Sequence, residues 1–270
     1  MEAVLAAGQI SDPRSILVAA SVAESTRDRW IDYAFSQAVH HLKPAWVPAF
    51  RRGEVDFGDR RIGLPAVLGK ANARGLLEEI RKLLLSGEAK GESRVALGRS
   101  LITTGGDKEM ELVLKLNPPS PTLLNNLADR DRPKLEVVTP LENLFEYDHL
   151  ETQVAAMRLV AHWKVEEFRE HANELAQAKN SSDGLRLAAI HAVGSLDGPN
   201  AKNVLVRIAA GNESTYQVSA MVAMIRLDSA QAANMAAGLM LLSAEVGDVS
   251  TLLSCFVSRQ GGGLLLAKAL

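Results

Sequence analysis

The chain has 270 residues, of which 47% are hydrophobic and 23% charged. That length holds one large domain or two ordinary ones, and the composition buries a sizeable core, which excludes a disordered or fibrous chain. Thirty Lys+Arg against 32 Asp+Glu leave a net charge of −2, which argues against a general binder of nucleic acid or anionic membranes. The single cysteine excludes a disulfide framework, a Cys-rich zinc site and a CxxCH haem attachment within the chain.

Aromatics are scarce and β-branched alternation is rare, while Ala and Leu recur at 3.6-residue spacing, so the pattern predicts helices throughout. Met1 runs into a helical segment without a cap and without a basic region followed by a long apolar one, so no secretory signal is read there. Start signals then recur along the chain: Asp12-Pro13, Ser25 with Asp28, Asp107, Ser120-Pro121, Thr139-Pro140 with Glu142, Ser182-Asp183 and Asp248. The run from Met235 to Val246 is apolar but carries Ser243 and Glu245, and it is too short to span a bilayer. Gln260-Gly261-Gly262-Gly263-Leu264 marks a helix stop followed by another helix. Both chain ends read as truncated, which predicts a piece of something longer.

The helices repeat. Ala155–Lys164, Ala188–Asp197 and Ser219–Asp228 align at offsets of 33 and 31, and in the first the pattern Leu5–Pro13 matches Val39–Pro44 around Ile10 and Leu42. Leu185, Ala188, Ala192 and Leu196 fall on one stripe. Each unit reads as a small-and-apolar helix, a short turn such as Gly198-Pro199, and a second helix. A period of this size predicts a HEAT-like α-solenoid, a right-handed superhelix of about seven or eight stacked helical pairs. The regularity breaks once, at Asn117-Pro118-Pro119-Ser120-Pro121. The expected organisation is therefore an N-terminal lobe over 1–116, a Pro-rich irregular connection with a short helix over 117–138, and a C-terminal lobe over 139–270.

Chemistry is thinly written. There is no phosphate-binding glycine loop, no HExxH, no GxSxG and no EF-hand loop. His40 and His41 are adjacent and point to different helix faces. His162 and His191 fall four positions apart in the repeat alignment, as surface or inter-repeat residues would. Cys255 lies in a helical apolar context that predicts an inert thiol. Glu166, Glu167, Glu170 and Glu174 read as one solvated face. Residues 1–135 carry 20 Lys+Arg and 17 Asp+Glu, and 136–270 carry 10 and 15. Arg51, Arg52, Arg60, Arg61, Lys70 and Arg74 are interleaved with Glu54, Asp56 and Asp59, which predicts a solvated face sooner than a basic cradle. Six of the twelve aromatics crowd into residues 30–57: Trp30, Tyr33, Phe35, Trp46, Phe50 and Phe57. They predict either a dense core at a helix crossing or an exposed ridge that grips a partner.

Trp30-Ile31-Asp32-Tyr33-Ala34-Phe35, Leu42-Lys43-Pro44-Ala45-Trp46-Val47-Pro48-Ala49-Phe50 and Gly53-Glu54-Val55-Asp56-Phe57 together resemble the HEAT-repeat region of the PVC-type haem-binding proteins of planctomycete-like bacteria. Arg158–Lys164 and Cys255–Gly263 look similar too, so the likeness runs along nearly the whole chain. Those are multidomain proteins, many described as membrane-bound dehydrogenases, in which a β-propeller region precedes the HEAT array and a c-type cytochrome domain follows it. The resemblance implies a scaffold segment of a larger redox protein, extracytoplasmic in its parent. It transfers no catalytic residue, and a haem c would belong to a neighbouring domain.

The sequence therefore predicts a non-catalytic scaffold, with no cofactor or metal of its own, that binds a protein partner or adjacent domains of the same polypeptide. Trp30, Trp46, Arg51 and Arg52 are the candidate contacts. A HEAT-like DNA glycosylase that cradles DNA is an alternative, with the net charge against it. A lyase- or chaperone-type HEAT protein that loads a cofactor onto a partner is another. The compartment expected is periplasmic for the haem-binding family and cytoplasmic for a stand-alone protein.

Overall fold

The computed structural model describes residues 2–23, 28–58, 63–241 and 246–270, with side chains omitted at 246–249. It is all-α: among the described residues there are helices, turns and no strand. The chain divides into two compact units, Met1–Leu135 and Glu136–Leu270.

The first unit contains α1 (Glu2–Gly8), α2 (Ile16–Ser21), α3 (Arg29–Arg51), α4 (Leu64–Ala71), α5 (Leu77–Ser86), α6 (Gly91–Thr104), α7 (Asp107–Leu114) and α8 (Pro121–Leu127). Asp28 caps α3 by accepting from the Trp30 and Ile31 N–H groups at 2.9 and 2.8 Å. It is thus the cap itself and not the fourth residue of a box begun by Ser25, which lies outside the described residues. Pro44 and Pro48 sit inside α3, four residues apart, and the helix continues through both. Their missing N–H groups each free a carbonyl of the preceding turn, and the packing of Leu42, Trp46 and Ala49 into the core holds the helix together. The repeat match of Ile10 with Leu42 fails. Ile10 is an exposed residue beyond the end of α1, whereas Leu42 is buried in the middle of α3. The Pro-rich stretch does contain a short helix, α8, which starts as its sequence says. Ser120 Oγ accepts from the Leu123 N–H at 3.4 Å with Pro121 at the first position, and Leu123, Leu124 and Leu127 are all buried. Asp107 is the first residue of α7 and not its cap. Glu109 reaches back to the Gly106 N–H at 2.7 Å, while Asp107 accepts from the Lys134 N–H at 3.1 Å.

The second unit contains α9 (Val138–Phe145), α10 (Leu150–Trp163), α11 (Arg169–Gln177), α12 (Asp183–Leu196), α13 (Ala201–Ala209), α14 (Ser214–Leu227), α15 (Ser229–Leu241), α16 (Val246–Val257) and α17 (Gly262–Ala269). α9 starts slightly before its expected cap. Thr139 lies in the first turn, and its N–H is satisfied from upstream by Glu136 Oε1 at 3.0 Å. Ser182 caps α12 as expected, accepting from the Leu185 N–H at 3.4 Å. Asp248 falls in the first turn of α16, and its side chain lies outside the described residues.

Here the repeat is physical. α10, α12, α14 and α16 begin 33, 31 and then 32 residues apart, at Leu150, Asp183, Ser214 and Val246, and each packs on the next of the series. The intervening helices fill the second layer, α11 against α12 and α13 against α14. The stripe Leu185, Ala188, Ala192 and Leu196 is buried throughout. Small residues set the spacing of the series. A Cβ added at Gly194 of α12 would lie 2.7 Å from the Ala223 Cβ of α14, so the two backbones are nearly in contact. Gly69 of α4 meets Ala96 of α6 in the same way in the first unit. Arginines then tie helix ends to their neighbours. Arg169 Nε donates to the Asp197 carbonyl at 2.8 Å past the end of α12, Arg259 Nη1 donates to the Ile225 carbonyl near the end of α14, and Arg130 Nη1 donates to Ile102 in α6 at 2.6 Å. A cation at a helix C-terminus meets both unpaired carbonyls and the negative end of the helix dipole.

Candidate functional site

α3 carries Trp30, Trp46 and Arg51, with Arg52 just past its last residue, and it separates the four candidate contacts. Trp30 and Tyr33, three residues apart, share one face and are 59% and 60% exposed. The Arg29 guanidinium stacks 4.6 Å from the Trp30 ring centre, presenting a flat cation–π edge to solvent. Between Trp30 and Tyr33 in sequence, Asp32 forms an ion pair with Lys70 of α4 at 3.0 Å. The two sit on a groove of about 480 Å³ that also takes in Phe35, Glu92, Ser93, Arg99 and Thr122.

Trp46 does not join this edge. Its ring is completely buried, its Nε1–H donates to the Val39 carbonyl at 3.2 Å, and it meets Phe50 edge-on at 6.1 Å. Phe50 meets Phe57 edge-on at 5.7 Å. Of the six clustered aromatics Phe35 and Trp46 are buried in the core and Phe50 and Phe57 are half-buried beside it, and a fully buried indole has no surface to offer a partner. Trp46 is corrected from contact to core residue. Arg51 and Arg52 are exposed at the far end of α3, about 30 Å from Trp30 at the helical rise per residue. Arg52 is already bound bidentately to Glu54 at 2.5 and 2.8 Å. That pairing holds the Glu54 carboxyl below its ordinary range and Arg52 above its own. Arg60 and Arg61 lie outside the described residues.

A second concavity was not visible in the sequence. A groove of about 710 Å³ opens where α5, α6 and α7 converge, floored by Leu84, Leu112 and Leu116 with the exposed Leu85 at its margin. Its charged lining residues are Lys90, Arg94 and Lys115. Arg94 donates to the Pro118 carbonyl at 2.8 Å, and Lys115 pairs with Glu111 at 2.6 Å. The signal was present as three cations around two leucine-rich helix ends, but only the packing of α7 on α6 brings Lys115 to the rim that Lys90 and Arg94 share.

The remaining titratable groups are structural in their contacts. Burial alone would push the Glu109 carboxyl up. The Gly106 N–H and the Arg81 guanidinium outweigh it and hold Glu109 below its ordinary range. Tyr216 donates to Asp183 at 2.7 Å, which raises its phenol, as burial does, and Arg186 stacks 3.9 Å from the ring centre. His149 accepts from the Thr152 N–H at 3.3 Å and so caps α10. His171 lies among Phe145 and Phe168. His40 and His41 are both exposed, and Cys255 is half-buried beside the buried Phe256. Among the described residues no three of His, Cys, Asp and Glu come together as a metal site would need, and no helix is long and apolar enough to cross a membrane.

The sequence matches no protein-family model and no curated protein.

Proposed function

We propose that the chain is a HEAT-like α-solenoid of stacked helical pairs that works as a scaffold, holding a protein partner or adjacent domains of its own polypeptide by shape and a few anchors, with no covalent chemistry of its own. The observation that supports this reading is the Arg29–Trp30–Tyr33 edge of α3. Two large aromatic rings stand mostly in solvent on one helix face, one of them under a guanidinium. Trp, Tyr and Arg are the residues that dominate binding energy where proteins meet, and neither ring belongs to the buried core. The repeat spacing of α10, α12, α14 and α16 supports the solenoid part. The family resemblance supports the further reading that the scaffold serves a haem-binding redox protein.

Two measurements test it. Intact mass and the visible spectrum of the native gene product come first. A covalent haem band on a polypeptide larger than this chain is the result expected, and a product without a chromophore removes the redox-protein part. For the docking edge, a photo-crosslinker at Tyr33 in the native host identifies the bound chain. Purified, that chain should bind the Trp30→Ala/Tyr33→Ala double variant at least about tenfold more weakly, and unchanged affinity refutes the edge. DNA binding that weakens steeply with added salt would put the nucleic-acid alternative in its place.

A further inference from the structure

The second unit is acidic, with 10 Lys+Arg against 15 Asp+Glu, yet one face of it gathers cations. α10, α12 and α14 lie side by side. Residues four apart share a helix face. Arg158 and His162 on α10, His191 and Ser195 on α12, and Val222 and Arg226 on α14 are therefore three adjacent pairs at matching repeat positions. The pairs are in reach of one another. Arg226 Nη1 donates to the buried Ser195 Oγ at 3.5 Å, and the charges of Arg226, Arg158 and His162 all act on the His191 ring.

Most arginines of this unit are engaged elsewhere: Arg169 with Glu166 and the end of α12, Arg186 with Glu213 and Tyr216, Arg207 with Gln177, Arg259 with Ile225. Arg158, His162 and His191 are exposed and make no hydrogen bond or ion pair among the described residues, and Arg226 has Ser195 alone. The charged groups that act on the His191 ring are Arg226 on α14 and Arg158 and His162 on α10. Like charges left together without a counter-charge cost stability, and an arriving anion relieves that cost.

We propose that Arg158, His191 and Arg226, flanked by His162, form an oxyanion site for a tetrahedral dianion of the phosphate class. The two guanidiniums supply planar, forked donors that match phosphate oxygens. His191 lies between them, and Ser195 is a positioning residue that steers Arg226. The site is independent of the α3 edge and stands or falls separately from it. Binding is linked to protons. Desolvation first, then the neighbouring cations, hold the empty-state His191 below its ordinary value of 6.5, so near neutral pH the ring is uncharged. A bound dianion favours the imidazolium, the ring takes up a proton, and affinity for an anion that does not itself titrate rises as pH falls through the bound-state pKa of His191.

The test is an NMR titration of the histidine ring protons of the full chain with sodium sulfate at constant ionic strength, since sulfate does not itself titrate in this range. His191→Gln assigns the resonance. The His191 signal should move saturably and its pKa should rise by about one unit. Arg158→Gln and Arg226→Gln should each weaken binding about tenfold with no loss of melting temperature, with Arg158→Lys between them and the parent. A shift no larger than that given by chloride, or an unaltered titration in the Arg158→Gln/Arg226→Gln double variant, overturns the proposal. The source of the anion is then read from inorganic phosphate against a phosphoserine peptide that is otherwise uncharged. At least tenfold tighter peptide binding assigns a phosphorylated protein, equal binding assigns the free anion, and both support the site.

Discussion

Replacing Trp46 by alanine separates the two tryptophans of α3 most sharply. A Trp side chain presents about 150–250 Å², and that of Trp46 is buried completely. At about 25 cal/mol per Å² its transfer out of water is worth about 4–6 kcal/mol, which agrees with the ~3–5 kcal/mol that large aromatic-to-alanine changes cost in cores. The lost Nε1–H bond adds little, because the Val39 carbonyl still faces the Lys43 N–H in the helix ladder. The edge contact with Phe50 is part of the same burial. The expected loss is therefore about 4 kcal/mol, a large fraction of the ~5–15 kcal/mol that stabilises a domain. Trp30→Ala removes an exposed ring and one solvent-facing cation–π contact, and should change stability by no more than about 0.5 kcal/mol. Native-state hydrogen exchange read on peptides of α3 and α4 reports the first unit directly. Loss of protection equivalent to about 4 kcal/mol in Trp46→Ala, with none in Trp30→Ala, is the expected result. Equal losses in both variants, or a loss under about 1 kcal/mol at Trp46, would refute the division of α3 into a core face and a free face.

Other consequences are as direct. Gly194→Ala drives a Cβ to 2.7 Å from the Ala223 Cβ and 3.0 Å from its carbonyl oxygen. Overpacking of about 1–3 kcal/mol less about 1 kcal/mol of helix propensity should leave a net loss of up to about 2 kcal/mol in urea melts. Gly238→Ala, where a Cβ meets nothing within 4 Å in α15, should stabilise by about 1 kcal/mol and serves as its control. Glu109→Gln should cost about 1–3 kcal/mol at pH 7, since the Gly106 N–H and Arg81 lose a charged acceptor. Glu109 is depressed in the fold, so its contribution is fully present above the unfolded value near 4.5 and fades as pH falls through the lower folded value; the two proteins should converge in acid melts below that pH. Tyr216→Phe should cost about 1 kcal/mol by the lost bond to Asp183, measured by the same melts.

Local chemistry was enough for much of this molecule. The 3.6-residue spacing of Ala and Leu specifies helices wherever it occurs, because it depends only on neighbours along the chain. The same holds for Ser120-Pro121 before α8 and for Ser182 before α12, since caps and turns are satisfied within a few residues. The failures share a different cause. Glu109 caps Gly106 in place of Asp107, Glu136 serves the N–H of Thr139, and Ile10 does not repeat Leu42, because these outcomes depend on how the backbone enters a helix, which several sequences satisfy equally well. Trp30 and Trp46 look alike in composition and motif. Once α3 is known to run unbroken through Pro44, sixteen residues at about 100° each place them about 160° apart on the helix, one toward the core and the other toward water. The cationic rim at α5–α7 and the Arg158–His191–Arg226 face join residues from separate helices. Sequence specifies which helices exist and which of their faces are apolar; only the packing of one helix on the next decides which charges become neighbours, because that proximity is set by how closely small residues such as Gly194 and Ala223 let two helices approach.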